Sequence, residues 1–494
     1  MNYVSTRGII DESVSSAYAI KTGLAKDGGL YMPESIPTLA EGEILSLASL
    51  SYCERAATVL SKFLTDFTYD ELLEDARGAY SVEKFGSHPA PVTKLSDKEY
   101  MLELWHGPTA AFKDMALQIM PRLFTRSLRK CGEEKTALIL VATSGDTGKA
   151  ALEGYKNIEG TKVKVFYPIH GVSRVQKLQM QSQEGNNVSV SGIVGNFDDA
   201  QSGVKKIFAN EKIKEKLAES GVFLSSANSI NWGRLVPQLV YYISAYCDMY
   251  NSGSIEMGEK IDVCVPTGNF GNIFAAYVAK LMGLPIDKLV CASNVNNVLT
   301  DFLKTGTYNR ARDFHATISP SMDILISSNL ERLLYITLGS EKTAEYMEKL
   351  AAEGKYTLAE QELAMINSSF VGYYTTEDET RDTINKIHKQ KNCLIDTHTA
   401  VAVHAADCYL EDYKAERKIL VVSTASPYKF ARDVFLAVCS REPADELSAL
   451  VELEAESGVS IPAPLKDIDK RPVIHVGKID KSEMEDATVK FARS

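Results

Sequence analysis

The stretch Ile261–Lys280, IDVCVPTGNFGNIFAAYVAK, sets a β-branched apolar run, a turn with two glycines three residues apart and a helical pattern one after another. An apolar run without polar alternation, followed by a helix, marks a strand buried on both faces of a parallel sheet. The same order recurs in TALILVATSGDTGKAALEGY, Thr136–Tyr155, and in KILVVSTASPYKFARDVFLAV, Lys418–Val438. KVKVFYP near Val163 and KLVCASN near Val290 read as further buried strands. Together these units predict an α/β protein with doubly wound, mostly parallel sheets. Ligands in such sheets bind beyond the carboxyl ends of the strands, where all three turns lie. Residues 1–95 differ: they are richer in helical pattern and close on the turn-prone GSHPAP of Gly86–Pro91, which predicts a separate N-terminal domain.

A length of 494 residues favours two or three domains. The balance of 54 Lys and Arg against 65 Asp and Glu argues against a nucleic-acid or anionic-membrane partner, so any anionic ligand must be held by a local pocket. The first residues carry no basic region followed by an apolar run, and no apolar run reaches the length of a membrane span. The eight cysteines are scattered without a CxxC pair, the pattern of free thiols in a reducing compartment rather than of disulfides or a zinc site. A cytoplasmic enzyme without a metal is the expectation. Nothing in the sequence decides between a monomer and a homodimer.

Three turns could carry chemistry. In VPTGNFGN, glycines before a helix start expose backbone N–H groups as a phosphate cradle that needs no basic residue; a tight turn with glycines for geometry alone is the alternative. TSGDTG, Thr143–Gly148, offers hydroxyls and N–H groups at a second helix start and suits a small carboxylate or phosphate, or simply caps its helix. It is not a nucleotide phosphate loop, which needs glycine where Thr143 stands and Ser or Thr where Ala150 stands. STASPYKF, Ser423–Phe430, adds hydroxyls at the end of a third strand.

The fourth feature is a lysine in an awkward place. If HGPTAAFKDMALQ, His106–Gln118, is helical from about Thr109, with Pro108 and Thr109 as stop and cap, Lys113 projects within an apolar arc of Phe112, Ala116, Leu117 and Met120. Asp114, Gln118 and Arg122 fall on the other side. Burial disfavours an ammonium group and makes the amine nucleophilic. A buried amine, a phosphate cradle and a small-anion loop suit an aldehyde cofactor with a phosphate, pyridoxal phosphate.

At these residues a family resemblance becomes close. GLAKDGGLYMPESIP (Gly23–Pro37), HGPTAAFKDMALQ, ATSGDTGKAA, NSINWGRLVPQ (Asn228–Gln238) and VPTGNFGN, in this order, resemble the threonine synthases, pyridoxal-phosphate enzymes of fold type II. The resemblance implies a catalytic region over 96–494, with a small α/β subdomain at about 100–240 and a large one at about 241–494 plus flanking segments. It implies that Lys113 forms a Schiff base with the cofactor, that Gly268, Asn269, Phe270, Gly271 and Asn272 hold its phosphate, and that the Thr424 hydroxyl faces its pyridine nitrogen. A neutral hydroxyl there leaves that nitrogen unprotonated and the cofactor a milder electron sink.

The implied reaction turns O-phospho-L-homoserine and water into L-threonine and phosphate by γ-elimination and β-addition, with Lys113 moving protons at the α and β carbons. Ser144, Gly145, Asp146 and Thr147 are placed near the substrate carboxylate. Asp146, whose charge repels that group, is expected to point away or to hold the turn. Arg234 is the first candidate for the substrate phosphate, with Lys149, Asn228 and Ser229 behind it. Thr397 departs from the family's D-P-H-T-A run, and Ser426 and Tyr428 stand where the family has histidine and a small residue. The family's S-adenosylmethionine-responsive extension has no counterpart in MNYVSTRGII, so no activation by that ligand is expected. A related phospho-lyase releasing 2-oxobutyrate, and a non-catalytic small-ligand-binding α/β protein, are the competing readings.

Overall fold

The computed structural model describes residues 1–143 and 145–494 and contains two parallel sheets. The larger runs Phe370–Tyr374, Ile286–Ser293, Ile261–Pro266, Ile419–Ser423, Glu99–Glu103, Val92–Lys94, with only the last pair antiparallel. The smaller runs Lys478–Asp480, Val188–Val194, Thr161–Pro168, Thr136–Ala142, Val222–Ser225, parallel throughout. Every residue of Ile261–Pro266 and of Ile419–Ser423 is buried, which is why their sequences lack polar alternation. From Ile261–Pro266 the chain winds outward to Ile286–Ser293 and Phe370–Tyr374, while Ile419–Ser423 and Glu99–Glu103 lie on its other side. The strand order thus reverses beside Ile261–Pro266, the place where such sheets open a crevice.

Contacts run across two of the ranges read from the sequence. The strand Lys478–Asp480 pairs with Val188–Val194, so the end of the 241–494 range returns to the smaller sheet. The N-terminal helices do not enclose a core of their own either. Helices Tyr52–Phe63 and Tyr69–Ala79 start at capping boxes, Ser51 with Glu54 and Thr68 with Glu71. Their Leu60, Phe63 and Leu72 then join one apolar cluster with Trp232, Leu123 and Ile273.

A pair of charged residues docks the N-terminal segment. Glu331 accepts from Thr6 Oγ1 at 2.7 Å and from Arg7 Nε at 3.0 Å. The fully buried Arg332 donates to Tyr31 O at 3.1 Å, to Ile230 O at 2.6 Å and to Asn329 Oδ1, and burial pulls its guanidinium down to about 9. Asn329 Nδ2 passes the connection to Asn269 O at 2.9 Å. One side chain therefore ties the N-terminal strand to two loops of the crevice. Arg332→Met leaves two buried carbonyls without this donor and is expected to cost about 3 kcal/mol. Urea denaturation should show a lower midpoint at unchanged slope.

Candidate active site

Three segments leave the carboxyl ends of three adjacent strands and meet. After Glu99–Glu103 the chain reaches the helix Lys113–Leu117; after Ile261–Pro266 it makes the glycine loop; after Ile419–Ser423 it passes through Thr424. Phe112 N donates to Thr424 O at 2.8 Å, Ser426 N to Ala110 O at 3.1 Å, and Ala111 bridges Ala425. These bonds overturn the expected helix start. Residues 109–112 lend their backbone to the neighbouring turn, Ala110 adopts φ +58°, and the helix begins at Lys113 with no side-chain cap. Thr109, expected as the cap, bonds instead to Asp114, through its N–H and its hydroxyl at 2.8 Å each. Burial pushes that carboxyl up to about 7 against these two bonds.

In the glycine loop, Phe270 takes φ +62° and turns the chain into the helix Gly271–Leu281. A Cβ on Gly268 would stand 2.7 Å from Ser321 O, so only glycine permits this approach. Asn272 Oδ1 accepts from the hydroxyls of Tyr241 and Tyr242 at 2.6 Å each. Among the described residues its Nδ2 is buried with no acceptor, on the first turn of the helix Gly271–Leu281. The donor set and the missing side chain both fit a bound phosphate group.

Lys113, with 11% of its side chain exposed, donates from Nζ to Ser321 Oγ at 3.1 Å and to Asp146 Oδ2 at 3.3 Å. Burial lowers its proton affinity; Asp146 works against this, while Arg234 and Lys429 reinforce it. Asp146 therefore neither points away nor merely holds its turn, because two ammonium groups draw it in. Its Oδ1 lies 2.7 Å from Lys429 Nζ and accepts from Gln176 Nε2 at 2.9 Å. Burial alone would raise this carboxyl, but Lys429 and Lys113 outweigh it and hold it well below the usual carboxylate range. The turn before it is stapled by Thr143 Oγ1, which accepts from Gly145 N and Gly148 N at 3.0 Å each. Gly145 has φ +147° and no room for a Cβ against Gln176. Thr147 is half-buried on the first turn of the helix Asp146–Tyr155. Ser144 lies outside the described residues.

Arg234 is buried, donates to Ala227 O at 2.8 Å, and has no carboxylate within ion-pair distance among the described residues. Burial pulls its guanidinium down to about 10. An uncompensated buried guanidinium is costly unless an anion joins it. Asn228 is exposed and Ser229 half-buried at the rim. Lys149 is buried but engaged, with Glu153 at 3.1 Å and with Gln183.

Sequence reasoning passed over three residues here. Lys429 lies in STASPYKF behind its hydroxyls, Ser321 sits in an irregular segment with no motif, and Asn329 supports the glycine loop from a distant helix start. Ser321 is itself held: its N–H donates to His398 Nε2 at 3.1 Å, which leaves the ring proton on Nδ1, facing Asp396 at 2.9 Å. The departures at 397 and 428 have contacts of their own. Thr397 Oγ1 donates to Ile318 O at 2.7 Å, steadying the Ser321 segment, and the Tyr428 hydroxyl reaches Val459 O. His106 bonds to Glu103 at 2.7 Å and stacks on Trp105.

Three family models match the chain: "Threonine synthase N terminus" over residues 2–80, "Pyridoxal-phosphate dependent enzyme" over residues 89–425, and "Threonine synthase, C-terminal" over residues 399–471. "Threonine synthase-like 1" from Homo sapiens is 40% identical over 460 residues, which cover 89% of this chain and 61% of that protein. The chain thus spans 61% of the length of such relatives. "Threonine synthase" from Pseudomonas aeruginosa is 37% identical over 454 residues, covering 90% of this chain and 92% of its own. The crystal structure of a PLP-bound threonine synthase from Brucella melitensis matches 100% of both chains with a TM-score of 0.88 at 36% identity.

Proposed function

Because the chain belongs to the threonine synthase family of fold type II pyridoxal-phosphate enzymes, we propose that it converts O-phospho-L-homoserine and water to L-threonine and phosphate. The observation that carries this reading is a buried guanidinium, Arg234, with no carboxylate at ion-pair distance among the described residues and with its charge acting on the Lys113 amine.

When bound, pyridoxal phosphate supplies an electron sink that stabilises negative charge developing at the substrate carbons. In this reading Gly268, Asn269, Phe270, Gly271 and Asn272 would hold its phosphate, Lys113 would hold it through the amine, and Thr424 would offer its hydroxyl to the ring. The free Lys113 amine, its proton affinity lowered by burial, takes the proton from the substrate α carbon and then serves the β carbon. Ser321 and Asp146, its two hydrogen-bond partners, keep Nζ in one place through these transfers. The Arg234 fork binds the substrate phosphate, with Asn228 and Ser229 at the rim. Lys149, already paired, neutralises Glu153 beneath the site. The helix start at Gly145–Thr147, with the adjoining Ser144, receives the α-carboxylate.

The substrate is a small molecule, and no helix among the described residues is long and apolar enough to cross a membrane. All eight cysteines are free, which supports a reducing, cytoplasmic setting.

Incubation with O-phospho-L-homoserine, resolving threonine from 2-oxobutyrate, tests the function. Threonine and phosphate in equal amounts are expected. Release of 2-oxobutyrate would assign a phospho-lyase instead, and absence of both products from cofactor-loaded protein would favour a binding protein. A second expectation concerns the cradle. Gly268→Ala forces the Ser321 segment away and should weaken cofactor binding at least about tenfold, read by absorbance titration with pyridoxal phosphate, since a Cβ cannot share space with a backbone oxygen.

A further inference from the structure

Asp146 places a negative charge where the proposed substrate brings two anionic groups, a carboxylate and a phosphate. Lys429 accounts for it. Its side chain has no exposure, and its Nζ meets three acceptors: Asp146 Oδ1 at 2.7 Å, Gln179 Oε1 at 2.9 Å and Thr109 O at 3.2 Å. The ammonium donates hydrogen bonds to Gln179 and Thr109, and the Asp146 carboxylate stands against it at ion-pair distance. Asp146 is fixed in turn, with Gln176 on Oδ1 and Lys113 and Ser321 on Oδ2. The result is a string of one carboxylate between two ammonium groups, one of which is permanently enclosed.

We propose that Lys429 is a positioning residue for Lys113, acting through Asp146: its ammonium fixes the carboxylate and cancels its charge, so that an acceptor stands beside the reactive amine without repelling an anionic substrate. The proposal rests on the reading of Lys113 as the reactive amine. The other charged groups around that amine are accounted for. Arg234 faces it from the helix Trp232–Leu235; Asp114, on its own helix, is turned to Thr109; Lys149 and Glu153 pair with each other on the helix of Asp146. His398 reaches it only through the Ser321 N–H, as an acceptor.

The test is the pH dependence of Lys113 acetylation by trace acetic anhydride in the full chain freed of cofactor, read by mass spectrometry of the Lys113 peptide. Lys429→Met removes a repelling charge and leaves Asp146 to Lys113 alone, so the midpoint should rise by about one pH unit, a roughly tenfold slower labelling below it. Asp146→Asn should move the midpoint down, and Lys429→Arg should restore the wild-type value. A purely structural lysine would not produce shifts of opposite sign. A midpoint that stays or falls in Lys429→Met overturns the proposal; if that variant does not fold, a midpoint that fails to fall in Asp146→Asn overturns it. Labelling needs no turnover, so this outcome is independent of whether threonine is formed.

Discussion

Lys113→Ala is expected to lower kcat at least about a thousandfold, because the same amine binds the cofactor and moves two substrate protons. The fold should survive. The Lys113 side chain is not fully enclosed, with 11% of it exposed, and Asp146, which would otherwise be left as an unpaired buried charge, keeps Lys429 and Gln176. Circular dichroism of the variant should therefore match the parent while its turnover is lost. Added alkylamines should restore part of the rate if proton transfer is the missing step. A variant that folds and turns over within about tenfold of the parent would place the chemistry elsewhere.

Arg234→Met should act differently, on the substrate and not on the cofactor. The guanidinium is buried with no carboxylate at ion-pair distance among the described residues, so its charge is available to a phosphate, and two charge-assisted hydrogen bonds lost there amount to about 3 kcal/mol. We expect kcat/KM to fall roughly a hundredfold, mostly through KM, with cofactor uptake unchanged. Arg234→Lys should recover little, because an ammonium group cannot reproduce the fork. An unchanged KM would remove Arg234 from the substrate site.

How much of this was readable beforehand depends on the range of the forces involved. The strands at Ile261 and Ile419 were legible because burial on both faces writes a continuous apolar run into the sequence. Lys113 was legible as a misfit, a charge among apolar neighbours. The start of its helix was not, because the bonds from Phe112 and Ala110 go to residues more than three hundred positions away, and Ala110 accepts a positive φ to make them. The burial of Arg234 was not legible for a related reason: whether an arginine on a short helix is solvated or enclosed is decided by packing that leaves no local pattern. Lys429 shows the limit most clearly. Beside Pro427 and Tyr428 it reads as an ordinary turn lysine, and its meaning comes from Asp146, Gln179 and Thr109, which three separate segments bring to it. The contacts of Asp146 with Lys429 and Lys113 were not legible for the same reason, since both partners come from distant segments.

The central claim is that Lys113 is the residue that binds the cofactor aldehyde. Reduction of the cofactor-loaded protein with borohydride, followed by digestion and mass spectrometry, addresses it directly. A phosphopyridoxyl group on the peptide containing Lys113, absent from Lys113→Ala, is the predicted result. A phosphopyridoxyl group on Lys429, Lys149 or any other lysine, with Lys113 unmodified, would contradict it.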